Sequence, residues 1–203
     1  MNRLPPLSNS RRRAVLDLAL GAMAHALLTG RRRVPTPSTL PEWLRDPGAC
    51  FVTLRRDSRL LGCIGSLEAH QALGCDVAEH ALDAAFDDPR LPPIDGDDFD
   101  RLALEVSVLS ALEPLPDSVH TRGELLRVLR PGVDGLVVAS GPRRATFLPA
   151  VWRSVAGADD FVALLWRKAG LPPGTWPRDL RLASYQVVEC EDPGPRDLAD
   201  WTA

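Results

Sequence analysis

A cysteine held between two glycines is the strongest chemical signal in the chain. Cys63 lies in the run Leu60-Leu61-Gly62-Cys63-Ile64-Gly65. Cysteine offers redox, metal-binding and nucleophilic chemistry, provided that the thiol is open to approach and has a base or cation near it. Glycine has no Cβ, so Gly62 and Gly65 let a ligand or another backbone come close. His70, His80, Glu68 and Glu105 are the residues that could act as its base. Glu105 and Ser107 fall on one face of a strand, because side chains alternate with period two. There they bind a polar ligand or act as base and donor, or they form an ordinary solvated face. Arg144 and Thr146 share a face in the same way. They suit a carboxylate or phosphate clamp, or simple pairing across a sheet, and the pairing is the simpler reading. Arg90 follows Asp87-Asp88-Pro89 and reads as a salt-bridging or carbonyl-capping group.

The elements that must position these groups follow from periodicity. Ser8-Asn9-Ser10 supplies N-cap residues. Ala14, Val15, Leu18, Ala22 and Ala26 recur at helical spacing, and Gly30 stops the helix. Four prolines make residues 34–48 a loop. Phe51 to Leu54 and Leu60 to Ile64 flank Asp57-Ser58 as a β-hairpin, with Cys63 near the end of its second strand. Leu73 to Phe86 is a second helix, ending before Pro89, with Cys75 off its main apolar line. Leu102 to Leu109 reads as a strand and Gly123 to Leu129 as a short helix. Leu136 to Val138 and Arg144 to Leu148 form a second hairpin. Pro149 starts a short helix through Val155, and Asp159-Asp160 caps another from Phe161 to Ala169. Trp152, Phe147 and Trp166 fit core packing. Leu182 to Val188 is the last strand, and residues 191–203 read as a flexible tail. Hairpins and helices without βαβ order predict an α+β fold with a largely antiparallel sheet.

Composition removes several function classes. The 203 residues are 45% hydrophobic, which is too apolar for a disordered chain and enough to bury a core. The formal net charge of −3 argues against a nucleic-acid or membrane-surface binder. Arg11 to Arg13 and Arg31 to Arg33 are read as solvated charges at the two ends of one helix. Lys168 is the only lysine. Cys50, Cys63, Cys75 and Cys190 include no C-x-x-C pair, and His70 and His80 match no standard site, so no metal or other cofactor is expected. No apolar run has the length of a membrane span and no secretory segment opens the chain. A cytoplasmic protein with reduced thiols is the expectation.

One ordered series of motifs runs along the chain. It begins with residues 60–65, followed by Ala85-Phe86-Asp87-Asp88-Pro89-Arg90 and Glu105-Val106-Ser107-Val108-Leu109-Ser110. Gly132-Val133-Asp134-Gly135-Leu136, Thr146-Phe147-Leu148-Pro149-Ala150-Val151-Trp152, Phe161 and Lys168-Ala169-Gly170-Leu171 complete it. The series resembles the AMMECR domain family, whose prokaryotic members are called AmmeMemoRadiSam system protein A. The resemblance covers about residues 10–190. It implies a single domain over residues 1–190, in two lobes of helices and sheet with a cleft between them. It also implies partners: a Memo-like protein and a radical S-adenosylmethionine protein. The family is mostly without an established activity. Its hexamer usually has Arg at the second position, where this chain has Leu61, and its Asp-Pro-Arg motif is usually followed by Phe, where this chain has Leu91. Leu61 removes a cation that would lower the thiol pKa or hold an anionic ligand, unless Arg59 or Arg144 replaces it. Cys63 is then more simply a small buried hydrophobe. Two functions stay open. One is a cleft lined by Gly62, Cys63, Ile64, Gly65, Glu105, Ser107, Arg144 and Thr146 that binds a small polar ligand, with thiol chemistry at Cys63. The other is a non-catalytic module that binds the partner proteins.

Overall fold

Ser8 Oγ accepts the Arg11 N–H and starts α1 (Asn9–Thr29); Gly30 ends it in the left-handed region at φ 68°. The computed structural model describes residues 7–201. Residues 1–6 and 202–203, at the outer ends of the expected domain and tail, lie outside the described residues. Strands β1 (Pro47–Arg56) and β2 (Arg59–Gly65) follow as an antiparallel pair. Asp57 and Ser58 join them at φ 48° and 64°. A two-residue turn with both residues left-handed matches the twist of the strands it connects. The short β3 (Gln71–Ala72) pairs with the start of β1 and runs into α2 (Leu73–Phe86). Then come α3 (Gly96–Arg101) and β4 (Ala103–Leu109).

The chain divides into two compact units, and Ser110–Val187 makes up the second. Its elements are β5 (Glu113–Pro114), α4 (Arg122–Val128), β6 (Gly135–Ser140), β7 (Arg143–Phe147), α5 (Ala158–Lys168) and β8 (Arg181–Tyr185). β9 (Val187–Asp192) returns to the first unit. The first sheet has the order β2-β1-β4-β9 with β3 on β1; the second has the order β5-β8-β6-β7. The fold is α+β with antiparallel sheets, as predicted. Each unit closes its own core. Val52, Leu54, Leu104 and Val106 pack with α1 and α2 in one; Leu136, Val138, Phe161 and Leu165 pack in the other. There Trp152 stacks on Phe161 at 3.8 Å and Phe147 meets it edge-on at 5.5 Å. Among the described residues no helix is long and apolar enough to cross a membrane.

Four expectations are corrected. The last strand is two strands, broken at Gln186, whose N–H donates to Ser110 Oγ while its carbonyl takes the Ser110 N–H. The apolar pattern runs through this break because each half buries its residues in a different sheet. The tail is fastened as far as residue 201: Arg196 donates to the carbonyls of Phe99 and Leu102, and Trp201 meets Phe99 edge-on at 6.3 Å. Gly157, not an aspartate, caps α5; Asp159 and Asp160 sit in its first turn, where negative charge offsets the helix dipole. Cys75 is buried, its Sγ against the Pro35 carbonyl. The arginine runs do lie at the ends of α1, but they are partly engaged. Arg12 holds the Leu7 and Glu189 carbonyls and Arg32 pairs with Asp87.

Candidate functional site

One extra residue in β2 decides where Cys63 points. Counted from the turn, Arg56 pairs with Arg59 and Arg55 with Leu60. An unbroken register would set Cys63 opposite Val52, which is fully buried. Instead the register shifts between Leu54 and Arg55, leaving Leu61 without a partner, so that Leu54 faces Gly62 and Thr53 faces Cys63. A slip of one residue moves every later side chain to the other face of the sheet. The bulge therefore turns Cys63 out of the core and overrules its reading as a buried hydrophobe. Among the four cysteines Cys63 alone is not buried; burial pushes the thiols of Cys50, Cys75 and Cys190 up.

Leu61, Gly62 and Ile64 serve the core. Leu61 is buried with the core cluster. A Cβ on Gly62 would lie 1.8 Å from the Ala84 carbonyl oxygen of α2, and one on Gly65 2.4 Å from that of Cys50. The close approach that these glycines permit is to the chain's own backbone. Ile64 pairs with Val52 and packs on the core. Gly62 and Ile64, expected among the ligand-binding residues, thus face away from the site, because they alternate with Cys63.

Cys63 is held from outside the sheet as well. β2 is an edge strand. The Cys63 N–H donates to Asp88 Oδ2 at 3.0 Å, and Arg90 Nη2 donates to the Cys63 carbonyl at 3.0 Å. Arg90 also binds Asp88 through Nε (2.8 Å) and Nη2 (2.6 Å). Those hydrogen bonds hold the Asp88 carboxyl well below its usual range. The pair takes the place of a neighbouring strand and blunts the edge at this residue. Arg90 thus makes the predicted salt bridge, while the carbonyl it binds is that of a strand residue rather than one at the end of α2; it is also a cation beside Cys63.

With its N–H and carbonyl directed outward, Cys63 makes the non-hydrogen-bonded kind of pair with Thr53, in which side chains come closest. Thr53 Oγ1 donates to Cys63 Sγ across 3.5 Å. Thr53 in turn faces Glu105, while Phe51 lies between Gly65 and Ser107. One face of the sheet therefore carries the row Cys63-Thr53-Glu105 beside the row Gly65-Phe51-Ser107. Ser107, itself buried, donates to Glu105 Oε1 at 3.2 Å. Cys63, Thr53 and Glu105 are half-buried.

The two histidines foreseen as helpers for the thiol lie elsewhere. His80 is on α2, on the opposite side of the sheet. Its Nε2 is 3.3 Å from Asp76 Oδ1 and its Nδ1 3.8 Å from Asp83 Oδ2, without an aligned hydrogen bond at either nitrogen. Burial opposes the charged ring, but Asp76, Asp83 and Glu79 outweigh it and raise the His80 pKa above 6.5. The fully buried Asp76 carboxylate accepts the Cys50 N–H, Ser66 Oγ and Gln71 Nε2. His70 Nδ1 lies 2.7 Å from the Glu68 carbonyl in an exposed turn. Only Glu105 shares the face of Cys63, and it stands two strands away, about 10 Å at ordinary strand spacing. Arg144 and Thr146 belong to the second unit. Thr146 Oγ1 donates to the Leu136 carbonyl at 3.0 Å and pairs with Tyr185 Oη at 2.8 Å, which is the sheet-pairing role. Arg144 faces Ala139 on the edge strand β7. Sequence reasoning missed Thr53 and the contact of Asp88 with Cys63. The hairpin turn was legible and would have found Thr53 had the bulge been counted. No group of three or more His, Cys, Asp and Glu able to hold a metal occurs among the described residues.

Comparison with known proteins agrees with this architecture. A protein of Methanothermobacter thermautotrophicus is 37% identical over 169 residues, covering 83% of this chain and 86% of its own length. One of Aeropyrum pernix is 40% identical over 169 residues, covering 77% and 71%. The crystal structure of the uncharacterized protein PH0010 from Pyrococcus horikoshii superposes with a TM-score of 0.82 at 31% identity, over 94% of this chain and 96% of that one. The AMMECR1 family model matches residues 16–190. With most of its length so matched, the chain belongs to the AMMECR1 family.

Proposed function

We propose that the polar face of the β1-β2-β4 sheet binds a small polar ligand laid across Thr53, with the Cys63 thiol at one end and Glu105 and Ser107 at the other. The observation that carries this reading is the cross-strand row itself. A bulge turns the one unburied cysteine onto the face that holds a carboxylate and two hydroxyls. The carboxylate selects a ligand with a hydrogen-bond donor, such as an amine or hydroxyl. The thiol offers a nucleophile to an electrophilic carbon about 10 Å from Glu105 at most, given the strand spacing.

Two measurements test it. Iodoacetamide on the native protein is expected to label Cys63 and spare Cys75, and Cys63→Ser to leave the native protein unlabelled. Labelling of Cys63 no faster than Cys75 overturns the thiol role. A thermal-shift screen of small amino and hydroxy compounds is expected to give hits whose shift is lost in Glu105→Gln. Hits that shift Glu105→Gln as much as the wild type overturn the binding role.

A further inference from the structure

The second unit carries two adjoining cavities that the proposed function does not use. They measure about 140 and 370 Å³ and share Arg122, Trp166 and Gly174 in their walls. Joined, they fall in the size range of sites for small organic ligands, about 300–1,000 Å³. We infer that this space is a binding site for a small organic anion carrying a planar ring.

The ring is called for by two tryptophans. Trp166 on α5 and Trp176 after it lie 5.7 Å apart at 25°, close to parallel. Trp166 is buried, with its Nε1 donating to the Thr175 carbonyl at 3.0 Å, so it forms a fixed floor. Trp176 is only half-buried, so a planar ring can stack on it. The indole N–H of the floor is already used, so Trp166 presents apolar and π surface.

The anion is called for by the charges. Arg122, Arg167 and His120 line the cavities, and no Asp or Glu does. In a chain of net charge −3 that is a local reversal of sign. Arg122 is already oriented by Asp159, through Nε at 3.1 Å and through Nη2 to the Asp159 carbonyl at 2.6 Å. Arg167, exposed in the last turn of α5, brings charge that Asp159 does not offset. A carboxylate or phosphate on the ring would meet it, as planar guanidinium groups do with such oxyanions.

Calorimetric titration of the full chain tests this with four probes: indole-3-acetate, adenosine 5′-monophosphate, neutral indole and inorganic phosphate. One or both of the first two are expected to bind with Kd below about 1 mM, and which one does tells carboxylate from phosphate. Indole and phosphate alone are expected to bind at least about tenfold more weakly, because each keeps one half of the recognition. Arg167→Gln, on an exposed position that leaves the fold intact, is expected to weaken the ring-bearing anion about tenfold. Trp176→Leu is expected to do the same. No binding by either ring-bearing anion at about 5 mM overturns the site. So does an Arg167→Gln variant that binds as the wild type does. Salt-independent binding of a proline-rich peptide, with the small anions inert, overturns it in favour of a peptide groove.

Discussion

The two faces of the β1-β2-β4 sheet are built from alternate residues of the same strands, yet they are finished differently. On one face Val52, Leu54, Leu104 and Val106 lie under α2, packed so closely that Gly62 has no room for a methyl group. On the other, Thr53, Cys63 and Glu105 stay half-buried, with a hydroxyl directed at a thiol. Two buried aspartates anchor the sheet, one on the helix side and one at its edge. Asp76 on the helix side ties β1 and the loop after Gly65 to α2; Asp88 at the sheet edge ties Cys63 to Arg90. The contrast teaches that Gly62, conspicuous in the hexamer, belongs to the packed face, while the chemistry belongs to Cys63 beside it. Substitutions on the two faces should therefore separate stability from reactivity.

The largest effect is expected from Gly62→Ala. The new Cβ meets a backbone oxygen of α2, which cannot rotate away, so β2 and the helix must part. Overpacking of this kind costs about 3 kcal/mol, to be read from urea denaturation. Labelling of Cys50 and Cys75 under native conditions should appear with it. A cost near zero would mean that α2 is not seated against β2 as described. Next comes Asp88→Ala, which strips the Cys63 N–H and Arg90 of their acceptor and is expected to cost about 2 kcal/mol. Because the folded carboxyl has a lowered pKa, its contribution is present above the ordinary carboxylate range and lost as pH falls through and below about 4. The variant should lose that part of the wild-type acid limb; an unchanged acid limb would remove Asp88 from the edge.

Much of this was legible in the chain, and the failures have one cause. Helix ends at Ser8, Gly30 and Phe86, and the hairpin turn at Asp57-Ser58, depend on local caps and left-handed residues, so local pattern finds them. The orientation of Cys63 depends on a bulge beside Leu60 and Leu61. Those are two like residues, and the apolar run reads the same in either register. The break at Gln186 and the fastened tail depend on partners far away in sequence, Ser110 for one and Phe99 and Leu102 for the other. The Asp88-Arg90 pair was visible as a motif, but its target, the outer edge of Cys63, exists only once the strands are ordered.

His80 sharpens the helix side of the comparison with a smaller effect. Its folded pKa is raised, so the stabilisation it lends is full below pH 6.5 and is lost as pH rises through the folded value. Melting temperatures taken at pH 6 and at pH 9 should show this decline, and His80→Gln should flatten it, by about 1 kcal/mol or less. Cys63 labelling at a given pH should stay as in the wild type, since the ring lies across the sheet from the thiol. A changed labelling rate would mean that the two faces are coupled.

The smallest effect on stability is expected where the effect on chemistry is greatest. Thr53→Val keeps the shape and the β-branched side chain that a strand position favours, so the fold should change by less than about 0.5 kcal/mol. It deletes the hydroxyl that donates to Cys63 Sγ. That contact fixes the sulfur against β1, and its loss is expected to change the rate of alkylation at fixed pH about fivefold. Cys63→Ser offers the matching control, near-neutral in stability and silent in labelling. If Thr53→Val labels at the wild-type rate, the row across β1 does not act on the thiol. The polar face would then be a surface with a cysteine on it rather than a site.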